Sequence, residues 1–150
     1  LILRHINIYM KFIKDEYVSA FRECLIETSR QEGFTLPEDI EAYVAILLGS
    51  FVDEPDFLPS PTFTEAFMKG TMPSKDLADV CLFVRGVFPR YGDKAHLTTI
   101  GKSSYGNAGR QLRIRMFEDI ADNFEIVVKV IRISTRPAKS YFKDVKWLNH

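Results

Sequence analysis

Apolar residues recur along this chain mainly at helical spacing, and breaks in their phase mark where one helix stops and the next starts. The densest run is residues 76–89, Asp-Leu-Ala-Asp-Val-Cys-Leu-Phe-Val-Arg-Gly-Val-Phe-Pro, apolar on nearly every side of a helix. That is the pattern of an element surrounded by others. Ser74 is placed to cap it, Asp76 and Asp79 set negative charge near the positive end of the helix dipole, and Pro89 blocks continuation. Upstream, a helix from about Asp15 carries Val18, Phe21, Leu25 and Thr28 on one face and Arg22, Glu23, Glu27 and Arg30 on the other, with Gly33 to end it. A second opens at Pro37 and sets out Ile40, Tyr43, Val44, Leu47, Leu48 and Phe51 as a wide apolar stripe. Pro55, Pro59 and Pro61 make residues 53–61 an ordered surface connection, followed by a short amphipathic helix over residues 62–69 with Phe63, Ala66 and Phe67.

Beyond the central run, a fifth helix over residues 94–108 aligns Leu97, Ile100, Ser104 and Ala108, with Gly101 permitting close approach of a neighbour. The sixth is the longest, with Leu112, Met116, Ile120, Phe124, Val127 and Ile131 in phase until Pro137. Its β-branched tail, residues 126–133, would also suit a strand, but the unbroken spacing favours helix. A last amphipathic piece over residues 138–148 carries Tyr141, Phe142, Val145 and Trp147. Period two appears in residues 6–12 (Ile6, Ile8, Met10, Phe12), read as an extended segment or a loose leader. With Leu1 first and a methionine at Met10, residues 1–9 are candidates for a trimmed or vector-derived leader, and residues 1–13 for a flexible one. The expected architecture is an all-α single domain over residues 1–150, a bundle of six or seven helices around the central buried one.

Composition adds one refinement: the chain is 46% hydrophobic and holds 12 phenylalanines, so the core should be aromatic. Cys24 and Cys81 fall among apolar helical residues and read as two buried, reduced thiols. No apolar run approaches a membrane span, and the expected location is cytoplasmic. The zero net charge conceals a polarity: residues 1–100 carry 10 Lys and Arg against 15 Asp and Glu, whereas residues 101–150 carry 10 against 5. Such asymmetry suits acidic and basic faces that complement each other within the fold or between copies, or a basic third that faces a polyanion.

Catalytic chemistry finds no motif. Gly101-Lys102-Ser103 looks like the end of a phosphate-binding loop, but His96 stands where that loop needs glycine, and the surrounding pattern is helical. His5, His96 and His150 are scattered, and neither cysteine has a histidine at ligand spacing, so no metal or other cofactor is expected. Asp53, Glu54 and Asp56 should be solvated, and His96 should be a solvated or locally capped imidazole. Arg85, a cation inside the most apolar helix, must snorkel to water or meet a carboxylate, and an ion pair is favoured, with Asp79 and Asp93 the nearby carboxylates in sequence. Arg110, Arg113, Arg115, Arg132, Arg136 and Lys139, joined by Lys129, Lys143 and Lys146 and interleaved with Tyr141, Phe142 and Trp147, form a candidate polyanion surface. Tyr43, Arg85, His96 and Tyr105, polar atoms on otherwise apolar helices, form a candidate ligand pocket.

The segment Ala78-Asp79-Val80-Cys81-Leu82-Phe83-Val84-Arg85-Gly86-Val87-Phe88-Pro89, followed by Ile100-Gly101-Lys102-Ser103-Ser104-Tyr105, resembles a family of uncharacterised bacterial proteins. Its members carry Gly-Asp-x-x-Leu-Phe-x-x-Gly-x-Phe-Pro and then a helix with Gly-x-x-Ala-Tyr. This chain departs from the pattern at Ala78, at Ser104, and at His96-Leu97, where the family has paired tyrosines. The resemblance covers about a third of the chain and implies a bacterial, all-helical protein with Gly101 as a packing residue; it implies no activity. The functional expectation is therefore a non-enzymatic protein-interaction or regulatory module with a protein partner or a second copy of itself. The alternatives are nucleic-acid binding by the basic third, and a small-molecule-binding helical domain or small enzyme built on the Tyr43 pocket.

Overall fold

The computed structural model describes residues 2–52, 54, 57–60 and 62–142, with side chains described from residue 15 onward except at 139 and 140. Its elements are α1 (Ile2–Glu32), α2 (Glu38–Phe51), α3 (Phe63–Lys69), α4 (Ser74–Val87), α5 (Lys94–Leu112), α6 (Arg115–Asp122), α7 (Phe124–Thr135) and a terminal 3-10 turn, Arg136–Tyr141. No strand occurs among the described residues, and the all-α bundle expected from the periodicity is what the chain forms. Helix α4 is the hub. It packs mainly on α5 and α7 and also touches α2 and α3, while α1 crosses α2 and α7. Every residue of α4 from Leu77 to Val87 is buried, as its all-round apolar pattern demands.

The core is aromatic, as the composition suggested, and several of its phenylalanines meet at α4. Phe83 stacks on Phe51 with ring centres 4.3 Å apart and meets Phe57, Phe88 and Phe142 edge-on, so one ring joins α2, the proline-rich connection, α4 and the chain beyond α7. Two glycines set how close the neighbours come. A Cβ on Gly86 would lie 2.4 Å from Cγ2 of Ile131, and one on Gly101 would lie 2.7 Å from the Phe124 ring and 3.0 Å from Cβ of Cys81. Gly86 thus seats α7 against α4, and Gly101 is the packing residue its position in α5 suggested.

Several local readings are corrected. Residues 6–12 continue α1 as helix, because four alternating residues with no partner strand cannot outweigh propagation from the helix beyond. The expected sixth helix is two helices. Helix α5 runs on to Leu112, Arg113 takes a left-handed conformation with φ 57°, and a second break at Asn123 separates α6 from α7. The Asn123 side chain donates to the Asp119 carbonyl at 2.9 Å, satisfying the terminus at which the chain turns. The apolar stripe keeps its phase across both breaks, so spacing alone could not reveal them; Leu112, expected in the core, is half exposed at the end of α5. Ser74 and Pro37 also shift by a position: Pro73 and Pro37 are the N-caps, neither supplies a side-chain cap, and the first residues inside are Ser74 and Glu38. Thr62, by contrast, caps α3 through its hydroxyl. Residues 126–133 are helical. Cys24 is exposed, whereas burial pushes the Cys81 thiol up to about 12 and leaves it inert. The connection before α3 buries Phe57 and Pro59 and exposes Glu54, while Asp53 and Asp56 lie outside the described residues. The amphipathic piece expected over residues 138–148 is a 3-10 turn up to Tyr141, and its remainder from 143 lies outside the described residues.

Candidate functional site

Two regions concentrate polar chemistry, one inside the bundle and one on its surface. Inside, Asp79 sits in the first half of α4 and faces α2 and α5, where the apolar stripes of those helices each contain one tyrosine. Tyr43 donates its hydroxyl to both Asp79 oxygens at 2.7 and 2.8 Å, Tyr105 donates to Oδ1 at 2.7 Å, and Lys75, one turn back on α4, donates to Oδ2 at 2.8 Å. Burial pushes the Asp79 carboxyl above its usual range, opposed by the ammonium of Lys75 and by the two phenols. Burial also pushes both phenols upward, reinforced by the carboxylate they share. The result is a carboxylate whose lone pairs are already occupied and two hydroxyls that resist ionisation. Such a group makes a poor general base or nucleophile and a good brace among α2, α4 and α5.

Arg85 makes the second internal tie. Its ion pair exists, but the partner is Glu125 on α7 rather than Asp79 or Asp93: Asp79 is taken by Lys75, and Asp93 caps α5 through the backbone of His96. Arg85 Nη2 lies 3.1 and 3.0 Å from the two Glu125 oxygens, and Nε donates to Thr98 at 2.9 Å. Although burial alone would raise the Glu125 carboxyl, Arg85, Thr98 and the charge of Arg132 hold it below its usual range. Of the expected pocket residues, the structure therefore unites Tyr43 and Tyr105 on one carboxylate, places Arg85 in a separate ion pair, and leaves His96 at the surface with Thr64 Oγ1 2.7 Å from its Nε2.

The expected polyanion surface divides likewise. Arg110 and Arg115 share a depression with Glu118 and Asp122, Arg115 pairs with Asp119, and Arg113 occupies the left-handed turn between them. This end carries mixed charge. Arg132 instead stands on the outer face of α7 and Arg136 at its C-terminal cap, and the Lys139 side chain lies outside the described residues.

That outer face is the surface region. The inner side of α7 is consumed by the core through Phe124, Val127, Val128, Val130, Ile131, Ser134 and Thr135. On the outside, Ile126, Lys129, Arg132, Ile133 and Arg136 line a depression of about 410 Å³ with Glu125 at its rim. A second depression of about 380 Å³ adjoins it, floored by Phe34, Leu36, Pro37, Ile40 and Val127 and sharing Ile126. Ile126 is 40% exposed. Lys129 lies 5.0 Å above the Phe34 ring and 3.9 Å from Glu32, while Nε of Arg132 is shielded from solvent without a hydrogen-bond partner. Sequence reasoning placed Arg132 and Arg136 in a diffuse basic surface and missed the isoleucines. The available signal was the spacing of Ile126, Lys129, Ile133 and Arg136 at i, i+3, i+7 and i+10, a second amphipathic face outside the core phase.

Among the described residues no group of three or more His, Cys, Asp or Glu side chains could hold a metal ion, and no helix is long and apolar enough to cross a membrane. Comparison with protein-family models, with curated proteins and with solved structures finds no match to this chain, so a functional reading has to rest on the geometry of α7 and of the Asp79 brace.

Proposed function

We propose that this protein is a non-enzymatic interaction module of the bacterial cytosol that docks a protein partner along the outer face of α7. One observation carries the reading: exposed Ile126 and half-buried Ile133 alternate with Lys129, Arg132 and Arg136 in a two-part groove, a mixture of apolar anchor and cation typical of recognition surfaces. Supporting it, the internal polar groups at Asp79 are engaged with one another, which suits a scaffold better than a reaction centre. The test is affinity capture from cells with the wild-type chain and with an Ile126→Glu/Ile133→Glu variant of unchanged melting temperature. A partner held by the former and lost by the latter supports docking on α7. Equal recovery by both, or recovery by neither from a strictly monomeric protein, overturns it.

The basic character of the same face favours one second reading, binding of nucleic acid to Lys129, Arg132 and Arg136. Binding through phosphate contacts must weaken steeply with salt. Fluorescence titration with mixed DNA and RNA at about 50 and 200 mM salt decides it, and no salt-dependent binding at the lower concentration removes it.

A further inference from the structure

The outer face of α7 is complementary to itself. Successive helical residues turn by about 100°, so Ile126 and Ile133, seven apart, share one edge of the face, and Glu125 and Arg136, eleven apart, share the other, each pair within about 20°. Arg136 belongs to this count because it keeps helical dihedrals, φ −49° and ψ −49°, at the C-terminal cap. One edge is thus apolar at both ends, while the other starts acidic and finishes basic, with Glu125 and Arg136 both exposed. The midpoints of the two pairs differ by about 1.5 Å along the helix. A two-fold axis across α7 near Lys129 and Val130 lays a second α7 antiparallel on the first and returns each edge to the same edge of the copy. Ile126 then faces Ile133 of the second copy, and Glu125 faces Arg136 of the second copy, each contact made twice. A parallel copy would bring like charges level with each other instead. The residue at the axis must meet its own copy, and there the charge is held aside: Lys129 lies 5.0 Å above the Phe34 ring and 3.9 Å from Glu32. Arg132, half-buried with its Nε shut off from solvent, lines the face as packing surface rather than as a free charge. Glu125 keeps 60% of its side chain exposed despite the hold of Arg85, and a carboxylate has lone pairs for more than one donor. The depression floored by Phe34, Leu36 and Pro37 adjoins Ile126 and gives Ile133 of the second copy a place to sit.

We infer that the partner docked on α7 is a second copy of this chain: two α7 helices pair antiparallel about a two-fold axis at Lys129 and Val130, with Ile126 against Ile133 along one seam and Glu125 against Arg136 along the other. The inference rests on docking along α7 and names the partner. Because the contact is two-fold, it closes on itself and stops at a dimer. An interface built mainly on one helix of 12 residues belongs with the small, reversible ones, so its dissociation constant should be on the order of 10 µM.

The experiment is sedimentation equilibrium of the full chain from about 1 to 300 µM, a range that brackets the expected constant. The wild type should pass reversibly from monomer to dimer. Ile126→Glu/Ile133→Glu should remain monomeric throughout, and Arg136→Glu, an exposed change that sets acid against Glu125 in both seams, should weaken the dimer at least about tenfold. Orientation is read by cross-linking in a Cys24→Ser background, which removes the exposed cysteine. Under diamide, Ile126→Cys mixed with Ile133→Cys should give a disulfide-linked dimer. Either variant alone should not, because antiparallel copies of the same residue stand about 10 Å apart along the helices, beyond the reach of a disulfide. A wild type that stays monomeric at the highest concentration, a dimer that either set of charge variants leaves as tight as before, no cross-link in the mixture, or an equal cross-link in a single variant would each overturn the inference. A monomeric wild type whose captured partner is still lost by Ile126→Glu/Ile133→Glu leaves docking on α7 in place and discards only the second copy. A monomer that captures nothing discards both.

Discussion

The inner half of α4 and the outer face of α7 hold ionisable groups in opposite conditions. At Asp79 one carboxylate receives three donors from three side chains on three helices and lies almost entirely out of water. On α7, Lys129, Arg132 and Arg136 line one groove at the surface, where Glu125 is already claimed by Arg85 and Lys129 reaches Glu32 and the Phe34 ring. A polar group whose partners are all internal holds a fold together, whereas one with capacity to spare is where a molecule can still be recognised. The contrast explains why the tyrosines, the more conspicuous functional candidates in an apolar stripe, belong to structure. The lysine and arginines of a surface helix are the groups left within reach of a partner, and the proposed docking rests on them.

The largest effect should come from emptying the internal site. Asp79→Ala leaves the hydroxyl of fully buried Tyr105 without an acceptor and frees Tyr43 and Lys75, and should cost about 3 kcal/mol in urea denaturation. A loss under about 1 kcal/mol would show that the brace is not structural and would remove one side of the comparison.

Next is the close approach that seats α7 on α4. Gly86→Ala forces a methyl against Ile131 Cβ and Cγ2 and should cost about 1–3 kcal/mol, with part of the loss recovered when Ile131→Ala is added. A simple sum of the two single effects would mean that the helices shift apart instead.

The pH dependence sharpens the comparison further. The folded-state values of Tyr43 and Tyr105 are raised, so the stability they contribute is fully present below the ordinary phenol value of 10.0 and is lost as pH rises beyond it, when the unfolded chain releases protons that the native state retains. Glu125 has the opposite sign: its folded value is lowered, so its contribution is present above 4.5 and declines as pH falls below that. Denaturation series from pH 8 to about 11 should therefore fall less steeply for Tyr43→Phe and Tyr105→Phe than for the wild type, and identical slopes would contradict the buried-phenol reading. The smallest stability effect belongs to the outside. Ile126→Glu should change unfolding free energy by no more than about 0.5 kcal/mol, because that side chain supports no packing that the core needs, and a larger loss would place α7's outer face within the fold.

Local chemistry settled much of this molecule. The all-round apolar run of α4, the stripe of α2, the left-handed Gly33 that ends α1, and the small residue at Gly101 follow from side-chain size, backbone freedom and a 3.6-residue period, and were legible along the chain. What periodicity cannot report is direction. Leu112 to Ile131 keep one phase while the backbone turns at Arg113 and Asn123, so only the packed structure distinguishes one long helix from the ends of α5, α6 and α7. Pairings across the fold were decided there too: Arg85 lies 40 positions from Glu125 and Tyr43 36 from Asp79, distances along the chain at which a charge or hydroxyl announces that it needs a partner without saying which. The amino-acid order thus fixes which groups must leave water, and the arrangement of helices fixes whom they meet.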